Sequence, residues 1–425
     1  MRFSTEDASA RGAADVVEVE TPHAALRYPG TFEPMRVDAA DLVLVTRDDP
    51  PGFRPNLVLT SVLSTAPLPD AAMSALLAAP AQHPAARVLS CDLWDLADVE
   101  GGDDTALGRR IVFLYRGDDT RDVLVHKWVW ATGQHHVHLS ASCLPSQAEA
   151  LVPAFTWIAR SLRLSAPDAA VRAAAVATGA APVDAEASLG VGVPLEDLGS
   201  FPLLSWLCPG SAVTLDALQA LLDGASRSRI GASAGILPKA LRDTAEAAEL
   251  VSAGWLDERG KLSTPGSDAA TALADGTAWV IAKVRRGSRA ALLRAYPHRR
   301  GVLVVRDAHP DESPLDSDRL RIVSHASNDQ LPGLVAAWIG LGPAWSFTPD
   351  ADDIDPRDLE SHLAHDPGVE PWDEFLVRTP LGEWYGVRSP SRGFLSIGAP
   401  AEGRHPVTPL PSGALADALL RLASG

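Results

Sequence analysis

The chain has 425 residues, 46% of them hydrophobic, and a formal net charge of −17, so it is long enough to bury two or three separate cores. That charge repels a phosphate backbone or an anionic membrane, which sets a general nucleic-acid role at a disadvantage, and nowhere does the sequence offer the roughly 20 consecutive apolar residues of a bilayer span. Cys91, Cys143 and Cys208 are few, odd in number and lack a CxxC spacing or a close histidine, which suggests neither a disulfide framework nor a structural zinc and leaves buried free thiols as the expectation.

Residues 1–25 mix charge with alanine and show neither helical nor strand period, so a flexible leader is expected. It contains no apolar stretch of signal-peptide length, which points to the cytoplasm. The alanine-rich, Arg-over-Lys composition fits a GC-rich bacterial source. Residues 26–164 read as an α+β domain: FRPNLVLTSVL, RRIVFLY, DVLVHKWVWA and QHHVHLSASC are strand-like, and Asp70 to Ala79 has the makings of a helix. A two-residue loop at Thr132-Gly133 sets Trp130 opposite His135, Trp128 opposite Val137 and His126 opposite Leu139 on a core face. The alternate face pairs Val129 with His136 and Lys127 with His138 and reads as polar and solvated. Ser146 and Glu149 have capping-box spacing before a stripe running from Ala148 to Leu162, interrupted by Pro153. Trp157 falls opposite that stripe and is a candidate partner-binding residue.

The segments RYPGTFEP, FRPNLVLTSV, VHKWVWATGQHHVHLSAS and ALVPAFTWIARSLRL together resemble the PsbP-like fold of actinobacterial LpqN-type lipoproteins. That family is exported and anchored through an early cysteine, which this sequence lacks, so the resemblance implies the fold alone.

Residues 165–199 are rich in alanine, glycine and proline and are the expected linker. Its GVGVP has no strand before it or helix after it, so it does not read as a dinucleotide loop. In residues 200–425, TLDALQALLDG is a short helix and ALRDTAEAAELVSAG a second. Trp255 and Leu262 flank a charged ribbon tip, and strands follow through Val305. RLRIVSH, LPGLVAAWIG, EWYGVRS, RGFLSIGAP and a last helix from Ser412 complete a second α+β layer. The fold class is therefore α+β: two domains with mainly antiparallel sheets covered by helices.

The segments LPKAL…AEAAELVSAGWLDERGKLS…WVIAKVRRGSRAALLRAY and EWYGVRSPSRGFLSIGAP…VTPLPSGALADALLRLASG are similar to the two halves of EspG-type chaperones of type VII (ESX) secretion. The resemblance implies quasi-repeated halves and small helical secretion substrates as partners. Trp338, Trp345 and Trp372 are then the candidates for an exposed apolar patch. LVSAGWLDERGKLSTPGSDAATAL also looks like the end of a winged helix, the DNA-binding alternative, with the basic stretch from Arg285 to Arg300 as its cations.

His126, His136 and His138 are the metal or enzymatic temptation. Two imidazoles at i, i+2 can bite one metal, yet Lys127 repels a cation beside them and no acidic partner is placed. The run Asp350 to Glu360 lacks the glycine turn of a calcium loop and reads as an acidic surface loop. No catalytic motif, cofactor loop or metal set is legible, so a non-enzymatic cytoplasmic binding protein is the expectation.

Overall fold

The computed structural model describes residues 16–48, 53–83, 85–95, 107–117, 121–132, 134–165, 203–228, 243–343, 345–346, 352–390 and 392–424. The described residues form two compact units. One is drawn from residues up to 201 together with Gly342–Phe347, the other from Pro202–Leu341 and Thr348–Ala423. The expected linker at 165–199 lies outside the described residues apart from Ser165.

In the first unit the elements run β1 (Val16–Glu20), β2 (Ala24–Pro29), β3 (Phe32–Met35), β4 (Leu42–Thr46), β5 (Asn56–Leu63), α1 (Leu68–Gln82), β6 (Arg87–Asp95), β7 (Leu107–Arg116), β8 (Asp122–Ala131), β9 (His135–Cys143), α2 (Ala148–Arg160) and β10 (Arg163–Leu164). Strands β1, β2 and β10 make a small sheet. The leader expected over 1–25 therefore ends early. Val16–Glu20 is mostly exposed and is ordered by its ladder to β2 rather than by burial, a long-range cause that a local pattern does not show.

The main sheet has eight strands in the order β16-β6-β7-β8-β9-β5-β4-β3, where β16 (Trp345–Ser346) joins parallel to β6. The β8–β9 register differs from the expected one by two residues: Trp130 pairs with Val137, Trp128 with Leu139 and His126 with Ala141. The connection is longer than two residues because Thr132 closes it. The Thr132 hydroxyl accepts from the His135 N–H at 3.1 Å and its own N–H donates to the His135 carbonyl at 2.9 Å. A shift of two leaves every side chain on its expected face.

On one face, α2 buries Phe155, Ile158 and Ala159, with Phe155 6.1 Å from Phe32. The helix runs through Pro153 and starts at Ala148 with Gln147 as its N-cap and no side-chain cap bond. The expected Ser146 box is replaced by a short 3-10 turn at Pro145–Gln147, in which the Gln147 amide oxygen accepts from the Leu144 N–H at 2.9 Å. On the other face, α1 packs Ala71, Ala72, Ala75, Leu76 and Ala79 onto Cys91, Ile111, Phe113, Val125 and Val129.

The second unit contains β11 (Ser211–Thr214), α3 (Leu215–Ser228), α4 (Ala245–Ser252), α5 (Thr264–Ala274), β12 (Val280–Arg286), β13 (Arg289–His298), β14 (Gly301–Arg306), β15 (Leu320–Ala326) and α6 (Leu331–Trp338). It continues with β17 (Asp352–Ile354), α7 (Pro356–Ala364), β18 (Asp373–Thr379), β19 (Gly382–Ser389), β20 (Gly393–Ile397), β21 (His405–Pro409) and α8 (Ser412–Leu420). Its ten-stranded sheet has the order β11-β15-β14-β13-β12-β18-β19-β20-β21-β17. Each half is a four-strand meander followed by a helix, with a short preceding strand, β11 or β17, paired to the meander's last strand. The two meanders meet antiparallel at β12 and β18, so the order of elements is duplicated about that seam.

Thr244 caps α4, its hydroxyl accepting from the Ala247 N–H at 3.2 Å. The Leu256↔Leu262 bridge then forms the ribbon. Gly266, at the start of α5, lies where a Cβ would come 2.1 Å from the Trp255 carbonyl oxygen, so only glycine lets helix and ribbon approach this closely. The acidic stretch expected as a surface loop is partly regular: Asp352–Ile354 forms β17, and Asp355 caps α7 by accepting from the Arg357 N–H at 2.8 Å.

Candidate functional site

Among the described residues, the helix on one face of the eight-stranded sheet, α1, packs over part of that face. Helix α1 lies over β6, β7 and β8, and a row of paired residues runs from Lys127 on β8, between the α1-covered Val125 and Val129, through Ser140, Val58 and Val43 to Met35 on β9, β5, β4 and β3. A second row holds Val129, His138 and Thr60. Alternation along each strand puts these side chains on one surface.

Toward β3 the surface hollows into an open concavity of about 490 Å³ lined mainly by apolar side chains, among them Met35, Val37, Val43, Val45 and Val58. Met35 is 46% and Val37 40% exposed. The one charged residue in the lining, Arg54, is engaged: it binds Glu33 at 2.7 Å and donates to the Thr46 carbonyl at 2.9 Å.

Toward β8 the same face becomes polar and half-buried rather than fully solvated as expected. Burial, the Lys127 ammonium and the neighbouring His136 together push the His138 imidazole down to about 4, so it is neutral at pH 7. Burial likewise lowers Lys127, and no carboxylate among the described residues offsets it. His136 is buried and its Nε2 lies 2.9 Å from the Ala66 carbonyl oxygen. His126 is on the opposite face, fully buried, its ring stacked on Trp128 at 5.9 Å. Burial first and the Arg110 charge second hold it down to about 3. The three histidines are thus split between two faces. Among the described residues no group of three His, Cys, Asp or Glu side chains is placed to hold a metal.

The tryptophans proposed for an exposed patch fare differently. Trp157 is on the surface, 43% exposed. Trp338 is completely buried, as is every residue of α6, beneath Arg306 and 5.1 Å from the His309 ring. Trp372 is buried against the His362 ring at 4.0 Å, with its indole N–H donating to Glu370 at 3.1 Å. Trp345 contributes its backbone to β16. Trp338 and Trp372 therefore belong to the core, which corrects their assignment to a docking patch: the second unit's helices need large apolar side chains to fill the space over a ten-stranded sheet.

The basic stretch considered for DNA is largely neutralised within the unit. Arg285 meets Glu360 at 2.8 Å, Arg286 meets Asp373 at 3.0 Å and also Asp311, and Arg300 meets Asp268 at 3.6 Å. Arg289 donates to the carbonyls of Pro310 and Glu312. At the ribbon tip, Asp257 accepts from the N–H groups of Arg259 and Lys261 at 2.9 and 2.8 Å, so its carboxylate stays beside those cations.

The apolar lining was not singled out from the sequence, although a signal for it exists. In LVLVT at β4 every residue but the last is apolar, so both faces of the strand are apolar, whereas a strand with one solvated face alternates.

No protein-family model matches the chain, and no curated protein matches it in sequence. Among solved structures it is similar to cyanobacterial PsbP from Synechocystis, at 12% identity over 37% of this chain and 96% of that one, with a TM-score of 0.28. It is similar to LpqN of Mycobacterium tuberculosis, a protein involved in cell envelope biogenesis, at 14% identity over 38% of this chain and 98% of that one, with a TM-score of 0.26. A Pseudomonas aeruginosa protein of unknown function is similar at 14% identity over 36% of this chain and 99% of that one, with a TM-score of 0.26.

Proposed function

We propose that this is a non-catalytic cytoplasmic binding protein whose first unit holds an apolar ligand against the part of the eight-stranded sheet that α1 does not cover. The observation that carries the reading is the lining of the concavity there: Met35, Val37, Val43, Val45 and Val58 line it together, with Met35 and Val37 exposed, Val58 half-buried and Val43 and Val45 buried, and exposed apolar side chains in a concavity are unfavourable in water unless something covers them. Its volume of about 490 Å³ suits a small molecule. Cys91, Cys143 and Cys208 are buried and outside any disulfide, in keeping with a reducing compartment.

The test is titration of the full-length protein with the neutral fluorophore Nile red. Saturable binding is expected, lost in Val58→Asp and in Met35→Asp at unchanged melting temperature. Binding that both variants retain would overturn the reading.

For the second unit, we propose a small helical secretion substrate as partner, on its resemblance to EspG-type chaperones. Support comes from the duplicated order of strands and helices about β12 and β18. With Trp338 and Trp372 in the core, contact falls to exposed side chains such as Leu215 and Leu381. Co-purification with small helical proteins encoded beside its gene, insensitive to salt, is the expected result. Salt-dependent retention of duplex DNA instead would favour the winged-helix reading.

A further inference from the structure

We infer that the ligand of the open sheet face is a monoanionic amphiphile, its apolar chain over Met35, Val43 and Val58 and its carboxylate against Lys127. The inference rests on the proposed binding role of that face and adds the chemistry of the ligand. Its starting point is the unequal character of the row's two ends. Four strand spacings separate Met35 from Lys127, roughly 19 Å at about 4.8 Å each. The apolar part lies at the β3 end, and Val58, Ser140 and Lys127 follow one another at the other.

Lys127 is half-buried on this surface. Its neighbours on the face are Val125 and Val129 along β8, Ile111 on β7 and Ser140 on β9, and none of these supplies a negative charge. His138, in the next row across from Val129, is held neutral and supplies no counter-charge to the ammonium. Arg54, the one cation lining the concavity, is already engaged by Glu33. Among the described residues of this row and of the concavity lining, Lys127 is thus the cation without a carboxylate partner, and it sits at the end away from the exposed methionine. A partly desolvated ammonium without a counter-charge is unfavourable, and a ligand anion placed there relieves it. One ammonium, a point charge without the fork of an arginine, matches a carboxylate better than a phosphate dianion. The Ser140 and Thr60 hydroxyls, in the Lys127 and His138 rows, are available to donate to the second carboxylate oxygen.

Dodecanoate and dodecanol, which share a chain and differ in charge, are the probes, each displacing Nile red from the full-length protein at pH 7.5 below its aggregation limit. Dodecanoate is expected to bind about fivefold tighter than dodecanol, and the preference should shrink as salt is raised. Lys127→Met should abolish the preference while leaving dodecanol affinity unchanged. Lys127→Gln, which keeps a polar end, should do the same. Equal affinity for both probes in the wild type, or a preference that survives both substitutions, would overturn the anionic assignment and leave the apolar site standing. Failure of both probes to displace the dye would overturn the apolar site as well.

Discussion

His126 couples the stability of the first unit to pH in a way that can be isolated. The ring is completely buried, and neither nitrogen has a hydrogen-bond partner. Burial and then Arg110 hold its folded-state pKa near 3, against 6.5 for the free side chain. The folded state therefore keeps the imidazole neutral, whereas the unfolded chain protonates it below pH 6.5. As pH falls through 6.5 the unfolded state binds the extra proton and stability drops, levelling off only below the folded-state value. At pH 5 the loss from this one group is about 2 kcal/mol. In His126→Phe the ring is replaced without removing a hydrogen bond, so stability at pH 7.5 should be unchanged or higher by about 1–3 kcal/mol, because a buried unpaired polar group is removed. The gap between variant and wild type should widen by about a further 2 kcal/mol at pH 5. Urea unfolding of the full-length proteins at pH 7.5, 6.5 and 5 measures both quantities, and the comparison cancels the other histidines whose pKa values are lowered, His83, His138, His309 and His325. Parallel loss of stability in wild type and variant between pH 6.5 and 5 would refute the argument.

Two substitutions test the assignment of core and surface in each unit. Trp338→Ala should cost about 3–5 kcal/mol by opening a cavity in a fully buried site, whereas Trp157→Ala, at an exposed position, should change urea-unfolding stability by no more than about 0.5 kcal/mol; similar losses at both would mean that the burial assignment is wrong. Arg306 is buried and is bound through both Glu312 carboxylate oxygens at 2.5 and 3.1 Å. Glu312→Ala leaves that guanidinium without its counter-charge and should destabilise the second unit by about 3–5 kcal/mol in denaturant unfolding, and a loss under about 1 kcal/mol would show that the pair is not structural.

Local chemistry alone identified many elements. The strands at β5, β7, β8 and β9, the helices at α1, α2, α3 and α8, and the division of His126 from His136 and His138 between two faces all follow from period and composition, since alternation along a strand assigns faces whatever the partner strand does. The α+β class follows from the same signals. Distances along the chain hid the rest. The β8–β9 register moved by two because Thr132 closes a longer turn, and Val16–Glu20 became a strand only through its ladder to β2. The duplicated halves of the second unit lie in the order of hydrogen-bonded strands, which can repeat while residue identities do not. Burial of Trp338 and Trp372 was equally inaccessible, because a tryptophan's hydrophobicity suits a core and a docking surface alike and only packing against neighbours decides. The concavity is the clearest case: β4 is apolar on both sides in the sequence, but α1 packs over β6, β7 and β8, and that tertiary limit leaves the concavity lined by Met35, Val43 and Val58 at the far end of the row that begins at Lys127.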